Sequence, residues 1–147
     1  MVEGGVVHIE DVSVVDTWAR LASDPKSVLI DCRTRAEWAY VGLPDLSSIG
    51  KQVILQEWQS FPDNRIDPAF SQKLAEALDQ AGVGKDAELF FICRSGGRSR
   101  MAAVVMAEAG YAICRNVAHG FEGSLDERRH RGRTGGWKVA GLPWVQG

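Results

Sequence analysis

The chain has 147 residues and a mass of 16.1 kDa, the size of one compact unit, and it is read as a single domain over residues 1–147. A hydrophobic fraction of 45% and a charged fraction of 24% exclude disordered, collagenous and membrane classes. The formal charge of −2 hides an asymmetry: residues 1–90 carry 8 basic and 15 acidic side chains, whereas residues 91–135 carry 8 arginines and 4 acidic residues. The later segment therefore draws small anions, while the overall balance speaks against nucleic acid as a partner.

No apolar run reaches the about 20 residues a bilayer span needs. The start Met1 to His8 has neither a basic region nor a long apolar one, so no membrane partner and a cytoplasmic location are expected. The three cysteines, Cys32, Cys93 and Cys114, are odd in number and lack metal-ligand spacing. A disulfide framework and a zinc site are disfavoured, and no metal or cofactor is expected.

In chain order, Ser13 to Asp16 is a Ser-x-x-Asp start signal, and Val14, Trp18 and Leu21 follow at helical spacing until Asp24-Pro25, which predicts a short amphipathic helix. Ser27 to Cys32 is an apolar run read as a buried strand ending at Asp31. From Val41 to Asn64 the punctuation by Gly42, Pro44, Gly50 and Pro62 predicts loops plus one short strand near Gln52–Leu55. Asp67-Pro68 opens a helix whose face is Phe70, Leu74, Leu78 and Ala81, and Gly82 closes it. Glu88 to Cys93 reads as a second buried strand. After the loop Arg94–Ser99 comes a helix over Arg100–Ala109, expected to be buried on most sides, and then a last strand over Ala112–Val117. Strands alternating with helices predict an α/β fold with a mainly parallel central sheet flanked by helices on both faces, and ligands then belong at the carboxyl ends of the strands.

The informative stretch is Cys93-Arg94-Ser95-Gly96-Gly97-Arg98-Ser99, which places a thiol where a strand stops and a helix has yet to begin. Two glycines let successive N–H groups turn inward as a nest, the next helix adds the positive end of its dipole, and Arg94 and Arg98 add charge. Such surroundings favour a thiolate, so Cys93 is expected to act as a nucleophile. A cysteine at the end of a core strand is by itself most often a small hydrophobe; two glycines and two arginines in the next six residues are poor core material and good oxyanion-cradle material.

This loop resembles the active-site loop of single-domain rhodanese-like sulfurtransferases. Leu29-Ile30-Asp31-Cys32-Arg33 followed by Glu37-Trp38 resembles the same family's early signature, and Gly110-Tyr111 and Gly120-Phe121-Glu122-Gly123 extend the likeness. The similar core runs over about residues 9–123, with 124–147 as a C-terminal extension. The resemblance implies a rhodanese-like fold and a cycle in which Cys93 takes a sulfane sulfur from a small anionic donor such as thiosulfate, holds it as a persulfide and passes it to a thiol, cyanide or protein acceptor. It implies Arg94, Ser95, Gly96, Gly97, Arg98 and Ser99 as the anion cradle and Asp31 and Arg33 as supporting residues. A monomer or weak homodimer is expected.

Two other readings stay open. Cysteine phosphatases on this fold use Cys-x5-Arg, whereas Cys93 to Arg98 is Cys-x4-Arg, a shorter loop suited to a single sulfur; the histidine that usually precedes the phosphatase cysteine is replaced by Ile92. A persulfide carrier or interaction module without turnover is the third reading. Gly42-Leu43-Pro44-Asp45 departs from the family's usual Gly-His-Ile-Pro. The apolar residues of Lys51–Pro62 are read as packing, with Trp58 as an acceptor-pocket residue only if that wall is exposed. Cys32 is expected on the opposite side of the sheet from its neighbours Asp31 and Arg33, with a resolving role not favoured. Cys114 reads as core, His119 as structural, Arg128–Arg133 as a solvated charge run, and Trp137 and Trp144 as rings that fasten the tail.

Overall fold

A computed structural model describes residues 7–146; most of the amino-terminal stretch read for a targeting signal lies outside the described residues. The chain runs β1 (Glu10–Val12), α1 (Val14–Ser23), β2 (Val28–Asp31), α2 (Arg35–Tyr40), β3 (Leu43–Pro44), a 3-10 turn (Ser47–Ile49), β4 (Ile54–Leu55), α3 (Phe70–Gln80), β5 (Glu88–Ile92), α4 (Gly97–Glu108), β6 (Ile113–Val117) and β7 (Trp144–Val145). β1, β6, β5, β2 and β4 form one five-stranded sheet in that order, and every pairing in it is parallel. Its strands therefore end on one side, where ligands of open α/β sheets bind.

Alternation along the strands sorts the core into two layers. On one face Ile30, Cys32, Leu89, Phe91 and Cys93 pack with Phe70, Leu74 and Leu78 of α3 and Ala102, Ala103 and Met106 of α4. On the other, Leu29, Phe90, Ile92 and Val117 pack with Val14 and Leu21 of α1 and with Phe121 and Trp137 from beyond the last core strand. The predicted helices on both faces are thus present, with the C-terminal segment completing the second layer. No helix among the described residues is long and apolar enough to cross a membrane.

The ends of the elements follow local chemistry. Ser13 Oγ accepts from Asp16 N at 3.0 Å and caps α1, as its signal predicts. α3 begins at Phe70, two residues after Pro68, and the turn that leads into it is held by Asp67, whose Oδ1 accepts from Ala69 N at 2.9 Å and whose carbonyl accepts from Phe70 N at 3.1 Å. α2 is an element the sequence reading did not include. It starts at a full capping box, Thr34 Oγ1 accepting from Glu37 N while Glu37 Oε1 accepts from Thr34 N, and Glu57 Oε2 takes the further amide of Arg35 at 2.8 Å.

The tail is more ordered than its irregular composition suggests. β7 pairs antiparallel with β3, Leu43 opposite Val145 and Pro44 opposite Trp144. Trp137 is fully buried, donates its indole N–H to Pro143 O at 2.7 Å and meets Trp18 edge-on at 5.8 Å. Trp144 instead stays half-exposed, covered on one face by Lys138 Nζ at 3.8 Å. Arg128, Arg129 and Arg133 are exposed, whereas Arg131 donates to Gly123 O at 2.8 Å.

Candidate active site

β5 delivers Cys93 to the carboxyl edge of the sheet, one residue past its last ladder pair, Asp31 opposite Ile92. α4 starts at Gly97 rather than at the expected Arg100, so Arg98 and Ser99 belong to the first helical turn and the free loop shrinks to Arg94–Gly96. Gly96 makes that tight entry possible: it is the N-cap with φ of 115°, a backbone region that a side chain disfavours.

Three donors converge on the sulfur. Gly96 N lies 3.2 Å, Ser99 N 3.3 Å and Ser99 Oγ 3.1 Å from Cys93 Sγ, and Cys93 itself is 1% exposed beneath the rim. The inward amides are thus those of Gly96 and Ser99, while Arg94 and Ser95 stand exposed at the rim. The loop carbonyls face the other way: Cys93 O accepts from Phe121 N at 2.8 Å, and Arg94 O accepts from Glu122 N at 3.0 Å and Gly123 N at 3.2 Å. Binding the oxygens from behind leaves the N–H side of the loop for an anionic sulfur, the arrangement of an oxyanion cradle.

Gly120, with φ of 60°, lies flush against this loop; a Cβ there would stand 2.3 Å from Cys93 O and 2.7 Å from Arg94 O. Ser99 Oγ also reaches Asn116 Oδ1 at 2.5 Å, and Asn116 Nδ2 donates to Asp11 Oδ1 at 2.9 Å and Gly96 O at 3.2 Å, which fixes the amide's orientation. A hydroxyl has one proton for two acceptors. When the sulfur is ionised the serine proton turns to it, and when the sulfur is protonated the serine can take its S–H and donate to Asn116 instead.

The arginines divide their work. Arg98 makes a two-pronged bond to Glu37, Nη1 to Oε1 at 2.7 Å and Nη2 to Oε2 at 2.9 Å, so its charge is shared with a carboxylate rather than left wholly to a ligand. Partial burial works against both charges. The Arg98 bond and charge outweigh it for Glu37, with help from Thr34, and hold that carboxyl below its ordinary value; Glu37 in turn holds Arg98 above its own. Arg94 and Arg98, with Tyr40, Phe61, Glu122 and Arg131, border a cavity of about 840 Å³ at the mouth, and Tyr40 and Phe61 are 80% and 67% exposed. Trp58 is not part of that wall; it is buried against Phe70 at 5.0 Å between ring centres, the packing reading.

Asp31 and Arg33 are fully buried. Arg33 Nε lies 2.9 Å and Nη2 2.6 Å from the Asp31 carboxylate, Nη2 also donates to Gly42 O at 2.8 Å, and the guanidinium covers the Phe121 ring at 4.2 Å. The pair touches no reacting atom. It fixes Phe121, whose amide holds Cys93 O, and so bears on the loop from behind. Cys32 lies across the sheet from this pair, as alternation predicts, and that is the layer in which Cys93 also packs. Burial, then the charges of Cys93 and Asp31, push the Cys32 thiol well above its ordinary value, and burial pushes Cys114 up to about 12.

Sequence reasoning left Glu37 without an individual role and did not single out Asn116 or Phe121. Only the Thr34–Glu37 capping box carried a local signal, since the bonds to Arg98, Ser99 and Cys93 join residues far apart in the chain.

Comparison with known proteins agrees with this architecture. A family model described as the rhodanese-like domain matches residues 14–127. An uncharacterised protein of Rickettsia prowazekii is 33% identical over 138 residues, covering 92% of this chain and 97% of that protein. One of Rickettsia conorii is 34% identical over 141 residues, covering 94% and 98%. The crystal structure of Rv0390 from M. tuberculosis is similar with a TM-score of 0.83 at 42% identity, covering 96% of this chain and 100% of that one. The polysulfide-sulfur transferase homodimer of Wolinella succinogenes shares the fold at 20% identity, with a TM-score of 0.58 over 95% of this chain and 80% of that one. With the five-stranded parallel sheet, the cysteine loop at its carboxyl edge and a family match over most of its length, the chain belongs to the rhodanese-like domain family.

Proposed function

We propose that the protein is a sulfurtransferase that carries sulfane sulfur on Cys93. The observation that carries this reading is the convergence of Gly96 N, Ser99 N and Ser99 Oγ on Cys93 Sγ, which suits a sulfur nucleophile that gains and loses negative charge. In the first half-reaction the Cys93 thiolate attacks the outer sulfur of thiosulfate or a persulfide. A new S–S bond forms as the donor's S–S bond breaks, and sulfite or a thiolate leaves with the electron pair. In the second, an acceptor thiolate or cyanide attacks the terminal sulfur, and Cys93 leaves as the thiolate it began as. Electrons balance in each half, so the cycle uses no outside oxidant. The exposed guanidinium of Arg94 and the partly paired Arg98 draw the anionic donor into the mouth.

The short Cys-x4-Arg loop favours sulfur over a tetrahedral phosphate. The test is mass spectrometry of the reduced protein after incubation with thiosulfate, together with turnover assays. Addition of one sulfur, abolished by Cys93→Ser and kept by Cys32→Ser and Cys114→Ser, with thiosulfate-to-cyanide or thiol turnover, is the expected result. Hydrolysis of an aryl phosphate without sulfur uptake would overturn it in favour of a phosphatase, and sulfur uptake without turnover would make the protein a carrier.

A further inference from the structure

Cys32 is a buried nucleophile that the proposed cycle does not use. β2 and β5 are parallel neighbours in the register Ile30 to Phe91 and Asp31 to Ile92, and one step further along sets Cys32 opposite Cys93. Both side chains fall in the same core layer. Cys32 N donates to Ile92 O at 3.0 Å and Cys32 Sγ lies 3.4 Å from the same oxygen, so the thiol lies against the peptide that leads into Cys93. Adjacent strands lie about 4.8 Å apart, within the about 4.4–6.8 Å separation of Cα atoms that a disulfide spans.

We propose that Cys32 is the resolving thiol of Cys93, closing an intramolecular disulfide onto it when a hydroperoxide oxidises the nucleophile. The Cys93 thiolate attacks one peroxide oxygen, the O–O bond breaks, and hydroxide or alkoxide leaves. Two electrons pass from sulfur to peroxide, and Cys93 becomes a sulfenic acid. The Cys32 sulfur then attacks the Cys93 sulfur, an S–S bond forms, the S–O bond breaks, and the departing hydroxide leaves with the Cys32 proton as water. The two cysteines are suited to different parts. Cys93 has three donors on its sulfur beneath the rim of the mouth, whereas Cys32 is fully buried, which keeps it from peroxide and sulfur donor, and it becomes nucleophilic only as the departing hydroxide takes its proton. The link shields Cys93 from irreversible oxidation to sulfinic acid and closes the site until a thiol reduces it.

This inference needs Cys93 to be a nucleophile but does not need sulfur transfer. The experiment treats the reduced full chain with hydrogen peroxide, digests it without reductant and maps the peptides by mass. The expected result is a loss of two hydrogen masses with the Cys32 and Cys93 peptides joined, reversed by dithiothreitol. In Cys32→Ser the expected product is instead two or three oxygens added to Cys93. Oxygen stably added to Cys93 of the unsubstituted protein with no Cys32 link, or a link through Cys114, would overturn the proposal whether or not the variant folds. Thiosulfate loading of the untreated protein, measured alongside, separates the two readings: a disulfide without sulfur uptake refutes only the sulfurtransferase, and sulfur uptake without the disulfide refutes only the resolving role.

Discussion

Replacing Asp31 with asparagine leaves the Arg33 guanidinium fully buried with a neutral neighbour in place of its counter-charge. The carboxylate accepts from Arg33 Nε and Nη2 and from its backbone amide at 3.1 Å, while the surviving partners are the single amide oxygen of the asparagine, the Gly42 carbonyl and the face of Phe121. Breaking a fully buried pair in this way costs about 3–5 kcal/mol, a large share of the about 5–15 kcal/mol by which a domain is folded. For a chain of this length that lowers Tm by about 6–20 °C. Replacing Arg33 with methionine strands the carboxylate and costs a similar amount. Replacing both, as Asp31→Asn with Arg33→Met, removes both charges with the pair and is expected to be at least about 2 kcal/mol milder than the two single changes added together. Urea unfolding of the four proteins at neutral pH measures the cycle. Single changes costing under about 1 kcal/mol each, or a double change equal to their sum, would refute the view that this pair is a coupled buried unit bracing the loop.

The other predictions concern the loop and its rim. Ser99→Ala removes the hydroxyl at 3.1 Å from the sulfur and is expected to slow sulfur uptake about 100-fold, the scale for losing one cradle donor, and to lower Tm by a few degrees because buried Asn116 Oδ1 loses its donor. Gly120→Ala drives a methyl into Cys93 O and Arg94 O at a backbone angle that disfavours a side chain; it is expected to reduce uptake at least tenfold even where circular dichroism shows a folded protein, and unchanged kinetics would contradict the close approach. Glu37 has a lowered carboxyl in the folded state, so its contribution is complete above the ordinary carboxylate range and is lost as pH falls through the lower, folded value. The stability gap between the parent protein and Glu37→Gln is therefore expected at neutral pH and to close in acid. A gap that widens on acidification would show the sign to be wrong.

How much of this was legible beforehand depended on the range of the interaction. The β5 strand, the turn of glycines after it and the nucleophile at the junction are local patterns, and the resemblance to the family rests on such runs. Alternation placed Cys32 correctly relative to Asp31, but its position beside Cys93 follows from the register between strands about 60 residues apart, which no local pattern encodes. The same limit hid the Arg98–Glu37 bond and the grip of Phe121 on Cys93 O. α2 was a different case, since Thr34 and Glu37 spell a capping box; the six-residue helix buries no side chain and so has no apolar stripe to reveal it. β7 is two residues long and is held by β3 and by Trp144 packing at Gly42, neither of which shows as a strand pattern.

The pairing of β7 with β3 carries a practical lesson for handling the protein. Gln146 Nε2 donates to Tyr40 O at 2.8 Å, and Tyr40 borders the mouth, so an affinity tag or reporter fused after this residue emerges beside the cavity that Arg94 and Arg98 of the Cys93 loop also border. Under the proposed function such a fusion would screen bulky sulfur acceptors more than thiosulfate, and apparent acceptor preferences are best compared after the tag has been cleaved.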